Sequence, residues 1–213
     1  MIVRPEGLFW AYAGSAPAPA GDVVHEVRFA DYDALVMTGL FAWRSVVNLY
    51  HGYRAESHAD TAGDICLVSD ACFDAAVLAA ACSYAGWPVA SALGEATTLP
   101  FALLPQPRMR ADVATQPKLA ARFSRLREVG DDACLAASYD RAARRLAGDR
   151  FTLIEQPADT LETQLLTRDD YAAGPPFLHK GEASYDGTHM NGAYGRLMLE
   201  RCMDWAAGAA GRA

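Results

Sequence analysis

The sequence is poor in the features that mark several protein classes. Its five cysteines include no Cys-x-x-Cys pair, so neither a zinc module nor a complete disulfide framework is indicated. We expect reduced, mostly buried thiols, as in a cytoplasmic protein. No apolar run approaches the ~18 residues of a membrane span, and the N-terminus has no signal-peptide pattern. These absences predict a cytoplasmic chain that stays out of the membrane.

Positive charge is also scarce. The 19 Lys and Arg residues are outnumbered by 26 Asp and Glu residues, which gives a net charge of -7. Because the basic residues form no long tract, binding that depends on phosphate neutralisation is not expected, and nucleic acid is excluded as a partner. With 52% hydrophobic and 21% charged residues, the 213 positions predict a single ordered domain over residues 1–213.

Apolar runs without alternation interchange with stretches of helical spacing. The clearest run ends at Gly39, as expected for a parallel strand that helices cover on both faces. This order predicts an α/β fold with a parallel sheet flanked by helices. The predicted strands of this sheet cover residues 34–39, 99–104 and 151–154, and the predicted helices cover 43–53, 71–85 and 117–147.

Shorter signals surround this pattern. Residues 7–13 and 23–29 are predicted strands, and residues 177–185 are predicted to be irregular. Ser69 directly precedes the second helical stretch and is predicted to be its N-cap. The last helix is predicted from Met190 onward, with fraying beyond residue 206.

Ligands of parallel sheets bind beyond the carboxyl ends of the strands. Gly39, Gln106 and Gln156 each follow or end a predicted strand of the parallel sheet. We therefore expect these three residues to border one crevice, where they would bind a ligand or an oxyanion.

A group of polar residues between positions 51 and 60 has the composition of a metal site. His51, Glu56, His58 and Asp60 all have ligand side chains, but they lack the tight spacing of zinc sites. The segment is better interpreted as a polar helix end with a loop. We expect no metal and no cofactor.

The segment Asp186-Gly187-Thr188-His189 has two interpretations. A carboxylate three residues before an imidazole, in a turn ahead of a helix, is the base and orienting half of a nucleophilic triad. The alternative is a simple helix start, with Asp186 or Thr188 as the cap and His189 merely exposed.

This turn, the strand at 151–154 before it and Asn191 at the start of the last helix together resemble the SGNH hydrolases, also called GDSL-type esterases. By element order the resemblance covers residues 31–206. It implies a flavodoxin-like three-layer α/β fold, with His189 as general base, Asp186 as its orienting acid and the Gly39 amide as an oxyanion donor. The implied substrate is an ester, such as an O-acyl group on a carbohydrate.

The chain departs from the family pattern at two places. Leu40 follows Gly39, where the family has an asparagine nearby for the oxyanion, and no Gly-Asp-Ser or Gly-Asn-Ser turn supplies a nucleophile. Ser15 is the one serine in a strand-then-Gly-Ser context. The strand before Ser15 resembles the family's second strand, so the first strand would be missing and the open sheet edge would favour pairing with another copy.

Three hypotheses follow from these departures. The first is an SGNH-type esterase in which Ser15 is the candidate nucleophile. The second is a binding or scaffold domain of the same fold that lacks the nucleophile. The third is an esterase whose nucleophile turn lies upstream of Met1.

Overall fold

The computed structural model describes most of the chain. It leaves out residues 1, 5–6, 12–23, 42, 62–63, 84–85, 116–119, 173–176, 180–181, 185–186, 188 and 211–213. Within the described residues, the α-helices are α1 (Trp43–Gly52), α2 (Asp70–Cys82), α3 (Gly86–Ala96), α4 (Ala120–Val129), α5 (Asp132–Ala147) and α6 (Gly192–Ala210).

The strands are short and belong to several sheets. In chain order they are β1 (Ile2–Arg4), β2 (Gly7–Ala11), β3 (Val24–Arg28), β4 (Leu35–Leu40), β5 (Tyr53–Ala55), β6 (Cys66–Val68), β7 (Phe101–Pro105), β8 (Met109–Arg110), β9 (Thr152–Leu153), β10 (Leu166–Thr167), β11 (Phe177–His179) and β12 (Glu182–Ser184).

The central sheet is parallel, with the order β4-β7-β9. Its middle strand β7 is apolar along its length, and side chains alternate between the two faces of a strand. Phe101 and Leu103 therefore enter the larger core, which α1 to α5 share. Ala102 and Leu104 enter a second core on the opposite face, against α6. Helices thus cover both faces of the sheet, which confirms the predicted α/β class.

The second core explains the length of α6. Tyr194 and Met198 pack with the residues of β7, and Cys202 and Trp205 extend the same helix face. Each large apolar side chain that is buried in this way contributes about 1.5–3 kcal/mol. The helix accordingly continues to Ala210, beyond the point at which fraying was predicted.

The remaining strands form small separate sheets. The order β1-β2-β3 is an antiparallel meander, so the strand that precedes Ser15 does not join the parallel sheet. β5 pairs with β6 and β8 with β10, both in parallel. The prediction of an irregular segment at 177–185 is wrong, because β11 and β12 pair as an antiparallel hairpin. Only two residues separate these strands and one is Gly181, a hairpin signal that the sequence contained.

The start of α2 is as predicted. The Oγ atom of Ser69 accepts a hydrogen bond from the Cys72 amide at 3.2 Å, which satisfies one of the unpaired donors of the first turn. No single described helix has both the length and the apolar character of a membrane span; α2 and α3 reach them only together, across a 77° bend.

Candidate functional site

The carboxyl end of β4 has an unusual backbone. Gly39 has a φ of +79° at an irregularity in the pairing with β7, and Phe41 has a φ of +62°. Glycine adopts this left-handed region without strain, whereas a bulky residue there costs about 1–3 kcal/mol. Two contacts hold the segment: the Leu40 carbonyl accepts the Gln106 amide at 2.6 Å, and the Phe41 carbonyl accepts the Tyr139 hydroxyl at 2.7 Å.

A small cleft of about 50 Å³, partly open to solvent, lies at this end of the sheet. Gln106 and Gln156, two of the three residues predicted to border a strand-end crevice, both line this cleft, and Gly39 is not among its described lining residues. The described lining residues come from the ends of β7 and β9, the start of α1 and the middle of α5. They are Trp43, Pro105, Gln106, Arg108, Tyr139, Asp140, Ala143, Leu153, Glu155 and Gln156.

Arg108 is the cation of this cleft, and its charge is already compensated. Its Nη2 atom donates to both carboxylate oxygens of Asp140, at 2.8 and 3.0 Å, and Nη1 donates to the Gln164 carbonyl. Only 8% of Arg108 is exposed, so the paired carboxylate is needed to offset the lost hydration of the guanidinium. The cleft therefore offers little uncompensated positive charge to an anion.

Two stacked aromatic rings form the apolar part of the cleft. The Trp43 and Tyr139 ring centroids are 4.0 Å apart with an interplanar angle of 18°, and the Arg108 guanidinium lies 5.1 Å from the Trp43 ring centroid. Burial raises the pKa of Tyr139 far above its ordinary value, so its hydroxyl is a hydrogen-bond donor and not a nucleophile. The Trp43 Nε1 group is buried without a hydrogen-bond partner among the described residues.

The two glutamines of the cleft differ in their availability. The Oε1 atom of Gln156 accepts the Arg108 amide at 2.8 Å, and its Nε2 atom donates to the hydroxyls of Thr160 and Thr167 at 3.0 and 2.9 Å. Its amide is therefore occupied by the protein itself. Gln106 is half-buried, and its side-chain amide makes no hydrogen bond to a described residue. Of the two, Gln106 is available to a ligand.

The turn that contains the predicted acid and base is described only in part. Asp186 and Thr188 lie outside the described residues, as does Ser15, so the Asp186–His189 pairing stays a prediction. Gly187 is buried, and its carbonyl accepts the Arg110 amide at 2.9 Å. His189 is exposed. The turn is thus attached to β8, directly after the part of the chain that lines the cleft.

The alternative interpretation is wrong about the cap of the last helix, which is Asn191 and not Asp186 or Thr188, but His189 is exposed as that interpretation expected. α6 begins at Gly192, and the Oδ1 atom of Asn191 accepts the Ala193 and Tyr194 amides at 3.0 and 3.1 Å. Asn191 also donates from Nδ2 to the Asp170 carbonyl at 2.7 Å. The residues before Asn191 are therefore not needed to cap this helix.

The first turn of α6 is close to the cleft. Burial raises the pKa of Tyr194, and the positive charge of nearby Arg108 opposes this shift. Tyr194 follows His189 by five residues along the chain, so the start of α6 connects the predicted base to the surroundings of Arg108. Sequence reasoning missed Trp43, Arg108 and Asp140; the only signal was the position of Arg108 just beyond a predicted strand.

Two of the four residues considered as loose metal ligands, His58 and Asp60, belong to a different buried assembly, the Asp131 cluster, which also contains Tyr50, Arg54 and Asp131. The Asp131 carboxylate accepts the Tyr50 hydroxyl at 2.5 Å and the backbone amides of residues 59 and 60 at 2.6 and 3.1 Å. The Nδ1 atom of His58 accepts the amide of residue 55 at 3.1 Å. No group of three or more potential metal ligands forms among the described residues.

Asp60 is held by two arginines. Arg125 donates to its two oxygens at 3.0 and 2.9 Å, and Arg54 lies 3.6 Å away. These hydrogen bonds and positive charges lower the pKa of Asp60 to about 2. The Arg54 guanidinium also lies 3.5 Å from the Tyr50 ring centroid, so the cluster packs internally.

No family model matches the chain, and no curated protein or solved structure is detectably similar to it. Inference about function therefore depends on the geometry of the strand-end cleft and on the turn beside it.

Proposed function

We propose that this chain is a hydrolase of the SGNH type that acts on an ester, such as an O-acylated carbohydrate. In this proposal its sheet and helices correspond to the flavodoxin-like three-layer arrangement of that family. His189 is the general base and Asp186 holds the imidazole in orientation.

The hydrogen bond between the Arg110 amide and the Gly187 carbonyl supports the proposal most directly. It attaches the turn with His189 to the end of the sheet where Gln106 and Arg108 line a cleft. Ligands of parallel α/β sheets bind at this end, and a base must come within hydrogen-bond reach of the proton that it removes. A turn fixed beside the cleft meets the first condition for such chemistry.

The roles follow from the chemistry of ester cleavage. A nucleophile hydroxyl, for which Ser15 is the candidate, loses its proton to the His189 imidazole as its oxygen attacks the ester carbonyl. The alcohol leaves with the proton that the imidazole returns, and water then releases the acyl group by the same route. Gln106 would orient the alcohol part, because its amide is both a donor and an acceptor.

Hydrolysis of a short-chain aryl ester tests the proposal. We expect turnover by the purified chain and a loss of about 10²–10⁴-fold in kcat for His189→Ala, the range typical of a general base. His51→Gln is the control histidine, since His51 lies at the far end of α1 from the cleft. Equal turnover by His189→Ala and the wild type would reject the assigned base.

A second candidate function is a binding domain of the same fold without a nucleophile. It is favoured by the composition of the cleft, because the described lining residues include no serine, threonine or cysteine. This candidate predicts no labelling by a fluorophosphonate probe, together with thermal stabilisation by acylated oligosaccharides. A labelled serine would instead support the hydrolase and identify its nucleophile.

A further inference from the structure

We propose that Thr167 and Gln156 are positioning residues that fix the His189 turn through the backbone of residues 108–110. This inference rests on the proposed function of His189 as a base. The connection consists of hydrogen bonds between described residues, and neither Thr167 nor Gln156 needs to contact the substrate.

The backbone of Arg108 makes hydrogen bonds to side chains at both its amide and its carbonyl. Its amide donates to Oε1 of Gln156 at 2.8 Å, and its carbonyl accepts the Thr167 hydroxyl at 2.7 Å. The Thr167 oxygen in turn accepts from Nε2 of Gln156 at 2.9 Å. Every proton in this ring of three bonds has one donor and one acceptor.

The hydroxyl groups that bind Gln156 belong to two buried threonines. Thr160 and Thr167 are both 0% exposed, and a buried hydroxyl is tolerated only when it is hydrogen-bonded. Thr160 donates to the Pro157 carbonyl at 2.6 Å and accepts from Gln156 at 3.0 Å. The orientation of the Gln156 amide is therefore fixed, since its Nε2 atom must face the two hydroxyl oxygens.

The backbone of residues 108–110 is in turn connected to the His189 turn. β8 pairs with β10 in a register that places Arg110 opposite Thr167. The Arg110 amide donates to the Gly187 carbonyl at 2.9 Å, and His189 follows two residues later. A shift of the 108–110 backbone therefore moves the attachment point of the turn.

The consequence is specific to the base. Gln106 is attached separately, because its amide donates to the Leu40 carbonyl at the end of β4. Loss of the Thr167 hydroxyl should therefore displace His189 more than Gln106. A misplacement of about 1 Å can lower turnover by as much as 10²-fold, while substrate binding is less affected.

The test compares Thr167→Val with Thr167→Ser, which differ in whether the hydroxyl is present. For Thr167→Val we expect faster hydrogen exchange of the Arg110 amide and shifted imidazole NMR signals of His189, with unchanged exchange of the Leu103 amide. In aryl ester hydrolysis we expect a kcat lower by about tenfold or more and a KM within twofold. Thr167→Ser should restore all of these values, and Gln156→Met is a second variant that removes the acceptor of the Arg108 amide.

The NMR and exchange measurements test the positioning role, whereas the hydrolysis assay tests the proposed function. Altered Arg110 exchange and His189 signals in both variants, with no esterase activity even in the wild type, would support the positioning role and reject the hydrolase. Unchanged NMR signals in folded Thr167→Val and Gln156→Met would overturn the positioning role whatever the activity. An active wild type with kcat unchanged in both variants would also overturn it.

Discussion

The strand-end cleft and the Asp131 cluster are built from similar side chains but differ in what they leave available. Each has a buried arginine near an aromatic ring and a carboxylate. Asp131 is 1% exposed, and both of its oxygens are occupied by hydrogen bonds from the protein. In the cleft, 30% of the Asp140 side chain is exposed, and the side-chain amide of Gln106 makes no hydrogen bond to a described residue.

Each region also contains one buried N–H group that has no partner among the described residues, Nε1 of Trp43 in the cleft and Nε of Arg54 in the cluster. An isolated unpaired group therefore does not distinguish a binding site from a structural assembly. The distinction is access: the cleft combines an available amide with an opening to solvent, whereas the Asp131 cluster is enclosed. We infer that the cluster mainly stabilises the fold, and the cleft is the site that we propose for a ligand.

We expect the largest loss of stability when the central carboxylate of the Asp131 cluster is removed. Asp131→Ala leaves the Tyr50 hydroxyl and two backbone amides without their acceptor, and we expect a loss of about 3–5 kcal/mol in the free energy of unfolding. Urea denaturation measures it. The control is Asp132→Ala, whose side chain lies in the first turn of α5 and should contribute less than about 1 kcal/mol. Similar losses in the two variants would contradict the structural role of Asp131.

We expect a smaller loss of stability when the ion pair between Arg108 and Asp140 in the cleft is removed. Asp140→Ala leaves the buried Arg108 guanidinium without its carboxylate, and we expect a loss of about 1.5–3 kcal/mol. Asp74→Ala is the matched control, because Arg141 also donates to both oxygens of Asp74, at 2.8 Å each, but at the surface. An exposed pair of this kind contributes less than about 1 kcal/mol. The difference between the two free energies of unfolding tests whether burial of Arg108 matters.

A pair of hydroxyl deletions compares the regions directly. Tyr50→Phe removes a bond to a carboxylate, and Tyr139→Phe removes a bond to the Phe41 carbonyl. Bonds to charged groups are stronger, so we expect losses of about 2 kcal/mol for Tyr50→Phe and about 1 kcal/mol for Tyr139→Phe. Thermal or urea denaturation under the same conditions decides the order, and a larger loss for Tyr139→Phe would reverse the comparison.

A smaller effect is the pH dependence of the cluster. Burial lowers the pKa of His58, with Arg54 in the same direction and the Asp131 and Asp70 carboxylates opposed. Below the ordinary histidine value of about 6.5, the unfolded chain binds a proton that the folded chain resists, so stability falls as the pH falls. Protonation at Nδ1 would also remove the acceptor of the Ala55 amide.

We therefore expect the urea midpoint of the wild type to drop between pH 7 and pH 5, and to drop less in His58→Asn, which keeps an acceptor for that amide. Asp60 stays charged in this window because the hydrogen bonds from Arg125 hold its pKa at about 2. The interval from pH 7.5 to 8.5 is the control, and the two proteins should show equal slopes there. Equal slopes between pH 7 and pH 5 would contradict the role of His58.

We expect the smallest change in stability from substitution of Gln106, and a larger one from substitution of Gln156 in the same cleft. Gln106→Ala should change the free energy of unfolding by no more than about 0.5 kcal/mol, since the side-chain amide of Gln106 has no described partner and the substitution keeps its backbone amide. Gln156→Ala should cost about 1–3 kcal/mol, because it leaves the Arg108 amide and two buried hydroxyls with one partner fewer. Ligand binding, followed by calorimetry with an acylated oligosaccharide, should be weakened by Gln106→Ala.

The sequence predicted the parts of the fold that depend on local pattern. Continuous apolar runs indicated β4 and β7, and Ser69 before an apolar stretch indicated the cap of α2. The hairpin of β11 and β12 was missed because each strand has only three residues, too few for a periodic pattern. The alternative that gave the cap of α6 to Asp186 or Thr188 is wrong, since Asp, Thr and Asn are all good cap residues and the sequence does not distinguish among them.

The sequence alone was enough to indicate the α/β class, because continuous apolar runs and helical spacing both reflect burial, and it showed that Gln106 and Gln156 follow predicted strands. Only the tertiary structure decided the partners of the site. Arg108 meets Asp140 across 32 residues, and Tyr50 meets Asp131 across 81. Such pairs leave no local pattern, because they depend on how helices pack against the sheet. For the same reason the sequence does not distinguish Gln106 from Gln156, although the Gln106 side chain is available to a ligand and the Gln156 side chain is hydrogen-bonded within the protein.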